Sequence, residues 1–109
     1  MNWKVNYSSQ SKVDLDSVYE YIAFTLFSPE AARRKVKRIT EAIGLLKTFP
    51  FMYKLYEEEP WKSKGLRVFN VSDFFIFYMI DEEARTIYIA RIIYGGRNIE
   101  KQLERSDDF

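Results

Sequence analysis

The stretch FFIFYMID, Phe74 to Asp81, constrains this chain more than any other. It is apolar almost throughout and short, which reads as a central strand covered on both faces. Its neighbours are strand-like as well. LRVFNV (Leu66 to Val71) precedes it across the turn Ser72–Asp73, and TIYIARIIY (Thr86 to Tyr94) follows across the hairpin turn EEAR. Connections this short make the three an antiparallel meander.

A single meander cannot cover itself, and the first half of the chain supplies the cover. WKVNY (Trp3 to Tyr7) alternates, with Trp3, Val5 and Tyr7 on one side, and reads as a short strand. Ser8, Ser9 and Ser11 offer N-caps. Val13, Leu15, Val18, Tyr19, Ile22 and Leu26 then recur at helical spacing, with Lys12, Asp14, Asp16 and Glu20 largely opposite, so a first amphipathic helix ends near Phe27. In SPEAA, Ser28 is placed to cap a second helix, Pro29 suits its first position, and Glu30 favours the positive end of its dipole. That helix carries Val36, Ile39, Ile43 and Leu46 on one stripe and stops before Pro50.

Two helices joined so tightly form an antiparallel hairpin. The segment from Phe49 to Gly65, with two prolines and no clean period, reads as a long loop with room for a turn of helix. Asn98 to Leu103 reads as a final helical turn or two. The expected fold is α+β, in the order β-α-α-β-β-β(-α). The helix hairpin packs on one face of a small, mainly antiparallel four-stranded sheet, and the opposite face stays partly open to solvent or a partner. At 109 residues the chain is read as one domain, 1–109.

Composition excludes several chemistries. There is no Cys, hence no disulfide, thiolate metal site or thiol nucleophile, and no His, the usual general base near neutral pH. Any catalysis falls to carboxylates, Lys, Arg, Tyr or hydroxyls. No apolar run approaches the roughly 18 residues of a membrane span, and MNWKVNYSS lacks the apolar core of a signal peptide. A cytoplasmic protein with no membrane partner is the expectation. Asp14, Asp16 and Glu20 suit a solvated helix face better than a cation site, so no metal and no cofactor is expected. Net charge is only +1. Cations cluster between Arg33 and Lys47, and Lys54, Lys62, Lys64 and Arg67 surround Glu57, Glu58 and Glu59. The helix cluster reads as a solvated face or as a contact for an acidic partner.

Three stretches, in their order and spacing, resemble the RelE/ParE superfamily of bacterial toxins from type II toxin–antitoxin (plasmid stabilisation) modules. They are VDLDSVYEYI in the first helix, SPEAARRKVKRITEAIGLLKTFP across the second, and GLRVFNVSDFFIFYMID continuing to IYIARIIYGGRN. The resemblance spans about residues 3 to 103 and implies a growth-inhibiting toxin neutralised by a cognate antitoxin. It implies two mechanisms on one fold. ParE-like members inhibit DNA gyrase by binding, whereas RelE-like members are metal-independent mRNA endonucleases acting at the ribosome. An inactive scaffold that only binds antitoxin and regulates its operon is a third reading.

Cleavage through a 2′-hydroxyl needs a base, an acid and cations around the phosphate. On the RelE-like pattern Arg97 stands at the arginine after the last strand, and Arg67 lies on the strand that carries the lysines of RelE. The arginine of the next strand falls on about Phe74, and the C-terminal tyrosine near Leu103, so the proton-transfer set is depleted and the ParE-like reading is favoured. Tyr94 or Tyr78 could substitute, and Lys62 or Lys64 could reach in from the loop. Arg97 is otherwise a surface charge or a partner of Glu100. Arg91 alternates with Ile87, Ile89 and Ile93, and is read either as a site residue or as a structural arginine paired with Asp73 or Asp81. Trp61, beside Lys62 and Lys64, is the candidate for stacking a base. Gly95–Gly96 is read as a tight turn using positive φ. The catalytic or target-binding candidates are thus Arg67, Arg91, Tyr94 and Arg97, with Trp61, Lys62 and Lys64 as further contacts to RNA or another target.

Overall fold

The computed structural model describes residues 3–106. In chain order they form β1 (Lys4–Tyr7), α1 (Ser9–Glu20), a π-helical turn (Tyr21–Thr25), α2 (Pro29–Gly44), a 3-10 turn (Leu45–Lys47), β2 (Arg67–Val71), β3 (Phe74–Asp81), β4 (Thr86–Tyr94) and α3 (Ile99–Glu104). The strands make one mixed sheet in the order β1-β4-β3-β2. β2, β3 and β4 are the antiparallel meander, and β1 lies parallel to the first half of β4. The α+β architecture is therefore the one the sequence patterns predict.

The helix hairpin covers one face of the sheet. Val18 of α1 and Ile39 and Ile43 of α2, with Leu46 just beyond, interdigitate with Phe69, Val71, Ile76, Tyr78, Ile87, Ile89 and Ile92. Ile39, Ile43 and Leu46 are almost fully buried, each worth about 1.5–3 kcal/mol of transfer free energy. Three of the four positions of the predicted α2 stripe, Ile39, Ile43 and Leu46, enter this core, and Val36 at its start is only half-buried. The stripe of α1 is shorter than expected, because Val13 and Leu26 lie half exposed. The π-helical turn winds more residues per turn and rotates Leu26 off the buried stripe. Phe27, at φ 53, then takes the left-handed conformation that ends a helix.

The second face is less open than expected. Phe77, Ala90 and Ile93 pack with Trp61 and Leu66 from the long connection and Leu103 from α3, forming a smaller second core. Half of FFIFYMID therefore meets the hairpin and half meets this second layer, as an almost wholly apolar strand requires. The long connection is ordered by it. Trp61 is buried, and turns from Glu58 to Gly65 close around its ring.

A β-bulge in β4 decides which side chains reach which face. Tyr78 pairs with Ile89 but Phe77 pairs with Arg91, leaving Ala90 as the extra residue. Ile87 and Ile89 face the hairpin. Beyond the bulge the alternation inverts, so Ile92 faces the hairpin while Arg91 and Ile93 share the face of Phe77.

No helix among the described residues is long and apolar enough to cross a membrane.

Candidate functional site

The end of β4 runs into a turn whose backbone is set by space. Gly95 donates its N–H to the Asp73 carbonyl (2.8 Å), and a Cβ there would stand 2.9 Å from Cε2 of Phe75 and 3.2 Å from that same carbonyl oxygen. A Cβ on Gly96 would stand 2.4 Å from the Tyr94 ring. Among the described glycines only Gly65 has positive φ, so the expected left-handed turn at Gly95–Gly96 is corrected. These glycines admit two aromatic rings. The turn closes with the Arg97 N–H donating to the Tyr94 carbonyl (3.1 Å), and the Asn98 side chain caps α3 by accepting from the Lys101 N–H (3.1 Å).

Arg97 is thereby held, exposed, on the rim of an open hollow of 560 Å³ on the second face. Val68, Phe75, Phe77 and Ile99 form its apolar part, and Tyr56 and Glu100 its polar part. Tyr56 stands edge-on to Phe77, with ring centroids 5.4 Å apart, and donates its hydroxyl to Glu100 Oε1 at 3.3 Å. Glu100 thus serves Tyr56, and no ion pair joins it to Arg97 among the described residues. The hollow offers an aromatic wall, an exposed guanidinium and a protonated phenol. That combination suits recognition of a flat or anionic group.

Tyr56 was not singled out by the sequence, where it is one tyrosine in a loop without periodicity. Its phenol is pushed up to about 12, by burial first, then by the charge of Glu100 and the hydrogen bond to it, and by Glu58. It remains neutral at physiological pH and can donate a proton in a hydrogen bond but cannot act as a base. An unfolded chain ionises this group near 10. Between about 10 and 12 the unfolded state binds fewer protons, so this group's contribution to stability falls as pH rises through that window. In Glu100→Gln the ionisation should move down without reaching 10, because burial persists. Phenolate absorbance against pH, with Tyr56→Phe identifying the step, measures this.

Apart from Tyr94, whose ring lies against Gly96 in the same turn, the other candidates do not gather around Arg97. Arg67 pairs across the strands with Tyr78 and so belongs to the hairpin face, where its Nη1 donates to the Tyr53 carbonyl (2.6 Å). Tyr94 is exposed at the end of that same face, edge-on to Phe74. Tyr78 is buried, its hydroxyl donating to the Pro50 carbonyl (2.9 Å), and burial pushes its phenol up. Lys62 makes a 3.6 Å ion pair with Glu57, and Lys64 is exposed. Trp61 lies in the second core with its ring 6.0 Å from that of Tyr56, so the expected exposed platform for a base is corrected.

Arg91 is buried and fully engaged. Nε and Nη2 donate to the two carboxylate oxygens of Asp14 at 2.8 and 3.0 Å, and Nη1 donates to the Gln102 carbonyl and the Ser106 hydroxyl. The expected partners Asp73 and Asp81 are replaced by Asp14, which had been read as solvated. Asp14 also accepts the Ile92 N–H at 2.8 Å, satisfying the edge of β4 beyond the end of β1. Arg91 thus ties α1, β4 and α3 together, and α3 follows directly from the Arg97 turn.

No curated protein matches the sequence. Among solved structures, the chain is similar to the chromosomal ParDE toxin–antitoxin system of P. aeruginosa, with a TM-score of 0.69 and 22% identity over 84% of this chain and 95% of that one. It is similar to the RelBE2 toxin–antitoxin complex of Mycobacterium tuberculosis (TM-score 0.64, 20% identity, 86% and 99% covered). The archaeal RelE–RelB complex of Pyrococcus horikoshii OT3 shares the fold too (0.58, 18%, 90% and 100%). These likenesses show the shared fold, and the resemblance to the RelE/ParE superfamily is borne out by a family model. That model, the ParE toxin of the type II toxin–antitoxin system parDE, matches residues 5–99, and the chain belongs to this family.

Proposed function

We propose that this toxin arrests growth by binding DNA gyrase without performing chemistry, and that a cognate antitoxin keeps it silent. The observation that carries the first part is the separation of the candidate groups. RNA cleavage through a 2′-hydroxyl asks for a base, an acid and phosphate-binding cations converging on one phosphate. Here Arg97 stands on the second face, Arg67 on the hairpin face, and Arg91 is consumed by a buried ion pair. The phenol beside Arg97 is held protonated and so cannot serve as the base. Arg97, its aromatic hollow and the exposed face around it support recognition of a target surface. The antitoxin reading draws on the solved relatives, which are toxin–antitoxin complexes.

Induction of the protein in cells lacking an antitoxin should stop growth, with filamentation and a DNA-damage response. Purified protein should inhibit gyrase supercoiling. Arg97→Ala should lose this inhibition and still bind the antitoxin. A rapid fall in protein synthesis with cut transcripts would replace the gyrase reading by a ribosome-dependent endonuclease. Unimpaired growth would leave the scaffold reading.

A further inference from the structure

A second cation-bearing surface lies away from the Arg97 hollow, across the starts of β1 and β2. Arg85 holds its guanidinium carbon 5.4 Å from the centre of the Trp3 ring, and Arg67 holds its own 5.2 Å from that of Phe51. Trp3 and Phe51 meet edge to face, with centroids 6.1 Å apart and planes at 87°. The four side chains form one row, Arg85–Trp3–Phe51–Arg67. The loop carrying Phe51 is pinned on both sides. Tyr78 donates its hydroxyl to the Pro50 carbonyl at 2.9 Å, Arg67 donates to that of Tyr53 at 2.6 Å, and the Trp3 N–H donates to that of Lys47 at 3.3 Å.

What this pinned loop presents is apolar. Phe49, Phe51 and Met52 are 58%, 50% and 45% exposed, with Leu45 beside them. Lys47 and Lys54 flank the loop, also exposed. Among the described residues Arg67, Arg85, Lys47 and Lys54 make no ion pair, and Glu82 and Glu83, in the same turn as Arg85, leave it unpaired. A pinned apolar patch ringed by cations that have no counter-ion among the described residues has the make-up of a protein-binding hot spot.

We propose that this surface binds an acidic, apolar-anchored peptide segment of a protein partner, with carboxylates on Arg67 and Arg85 and apolar side chains on Phe49, Phe51 and Met52. The guanidinium fork matches a carboxylate, and an arginine set against an aromatic ring loses less freedom on binding one. Single-stranded nucleic acid fits less well. The arginines sit over the Trp3 and Phe51 rings, on surfaces where bases would stack, and a net charge of +1 gives the chain little general attraction for phosphates. Which protein owns the segment follows from the antitoxin reading; that the surface takes such a segment does not.

Fluorescence anisotropy with a labelled peptide of alternating Glu and Leu tests this, with polyglutamate of equal length and a single-stranded DNA oligonucleotide as comparators. The alternating peptide should bind tightest, and more weakly as salt rises. Arg85→Glu and Phe49→Ser, both at exposed positions, should each weaken it about tenfold, while Arg34→Glu on the exposed side of α2 should not. Arg67→Glu should do the same as Arg85→Glu, and if it unfolds, the other two variants decide. Failure of the peptide to bind, equal binding by the variants, or tighter binding of the oligonucleotide through the same residues would overturn the proposal. Growth arrest reports on the toxin reading and leaves this binding result untouched.

Discussion

Asp14→Ala should lower the melting temperature of this protein on the order of 15 °C. The cause is the charge it leaves behind. Arg91 and Asp14 have side chains only 8% and 9% exposed, and each is the other's counter-ion. Removing one partner of a buried pair costs about 3–5 kcal/mol, because the survivor keeps its charge without solvent to stabilise it. The loss extends beyond Coulombic attraction. Asp14 also accepts the Ile92 N–H, so the variant leaves a strand edge unsatisfied as well. Arg91→Met should cost a similar amount and loosen α3, since Arg91 holds the Gln102 carbonyl and the Ser106 hydroxyl. The double variant Asp14→Leu/Arg91→Leu should recover part of the loss. No charge is stranded there, but the Ile92 N–H still lacks its acceptor. Thermal unfolding followed by circular dichroism measures all three, and an Asp14→Ala protein melting with the parent would show that the pair contributes nothing.

Trp61→Ala should cost about 3–5 kcal/mol as well, for a different reason. The ring is 5% exposed and fills the second core against Leu66, Phe77 and Leu103. Its removal leaves a cavity beneath the loop that it organises, and the turns from Glu58 to Gly65 should become accessible to proteases before the rest of the chain. Trp61→Phe should restore most of the stability, as a smaller ring still fills the site. The readout separates a packing residue from a contact residue. Denaturant unfolding should shift strongly for Trp61→Ala, whereas a stacking platform would lose target binding with stability unchanged.

Much of the architecture was legible in the chain because it depends on short-range periodicity. The alternation of Trp3, Val5 and Tyr7, the stripe Val36–Ile39–Ile43–Leu46 and the apolar run Phe74–Asp81 each specify an element and the side it buries. Short connections then leave few topologies. Arg97 was legible too, since a charge after a strand and a glycine pair marks an exposed turn. Tyr56 was not, because its role depends on Phe77 and Glu100, which lie far from it along the chain.

Trp61, Arg67 and Arg91 show where local reading ends. An aromatic beside two lysines in a charged loop looks like a surface contact, yet the second sheet face needed cover and Trp61 was the apolar group within reach. For Arg91, strict alternation puts the side chain with Ile87 and Ile89, but one extra residue in β4 turns it to the other face and toward Asp14. Composition and periodicity alone determined the strands, the hairpin and the chemistries that a chain without His or Cys must forgo. The bulge register, the pairing of Arg91 with Asp14, and the placing of Arg67 and Arg97 on opposite faces were decided only when distant segments packed. The physical reason is that face and partner depend on cumulative strand register and on competition for buried space, and both are properties of the assembled layers.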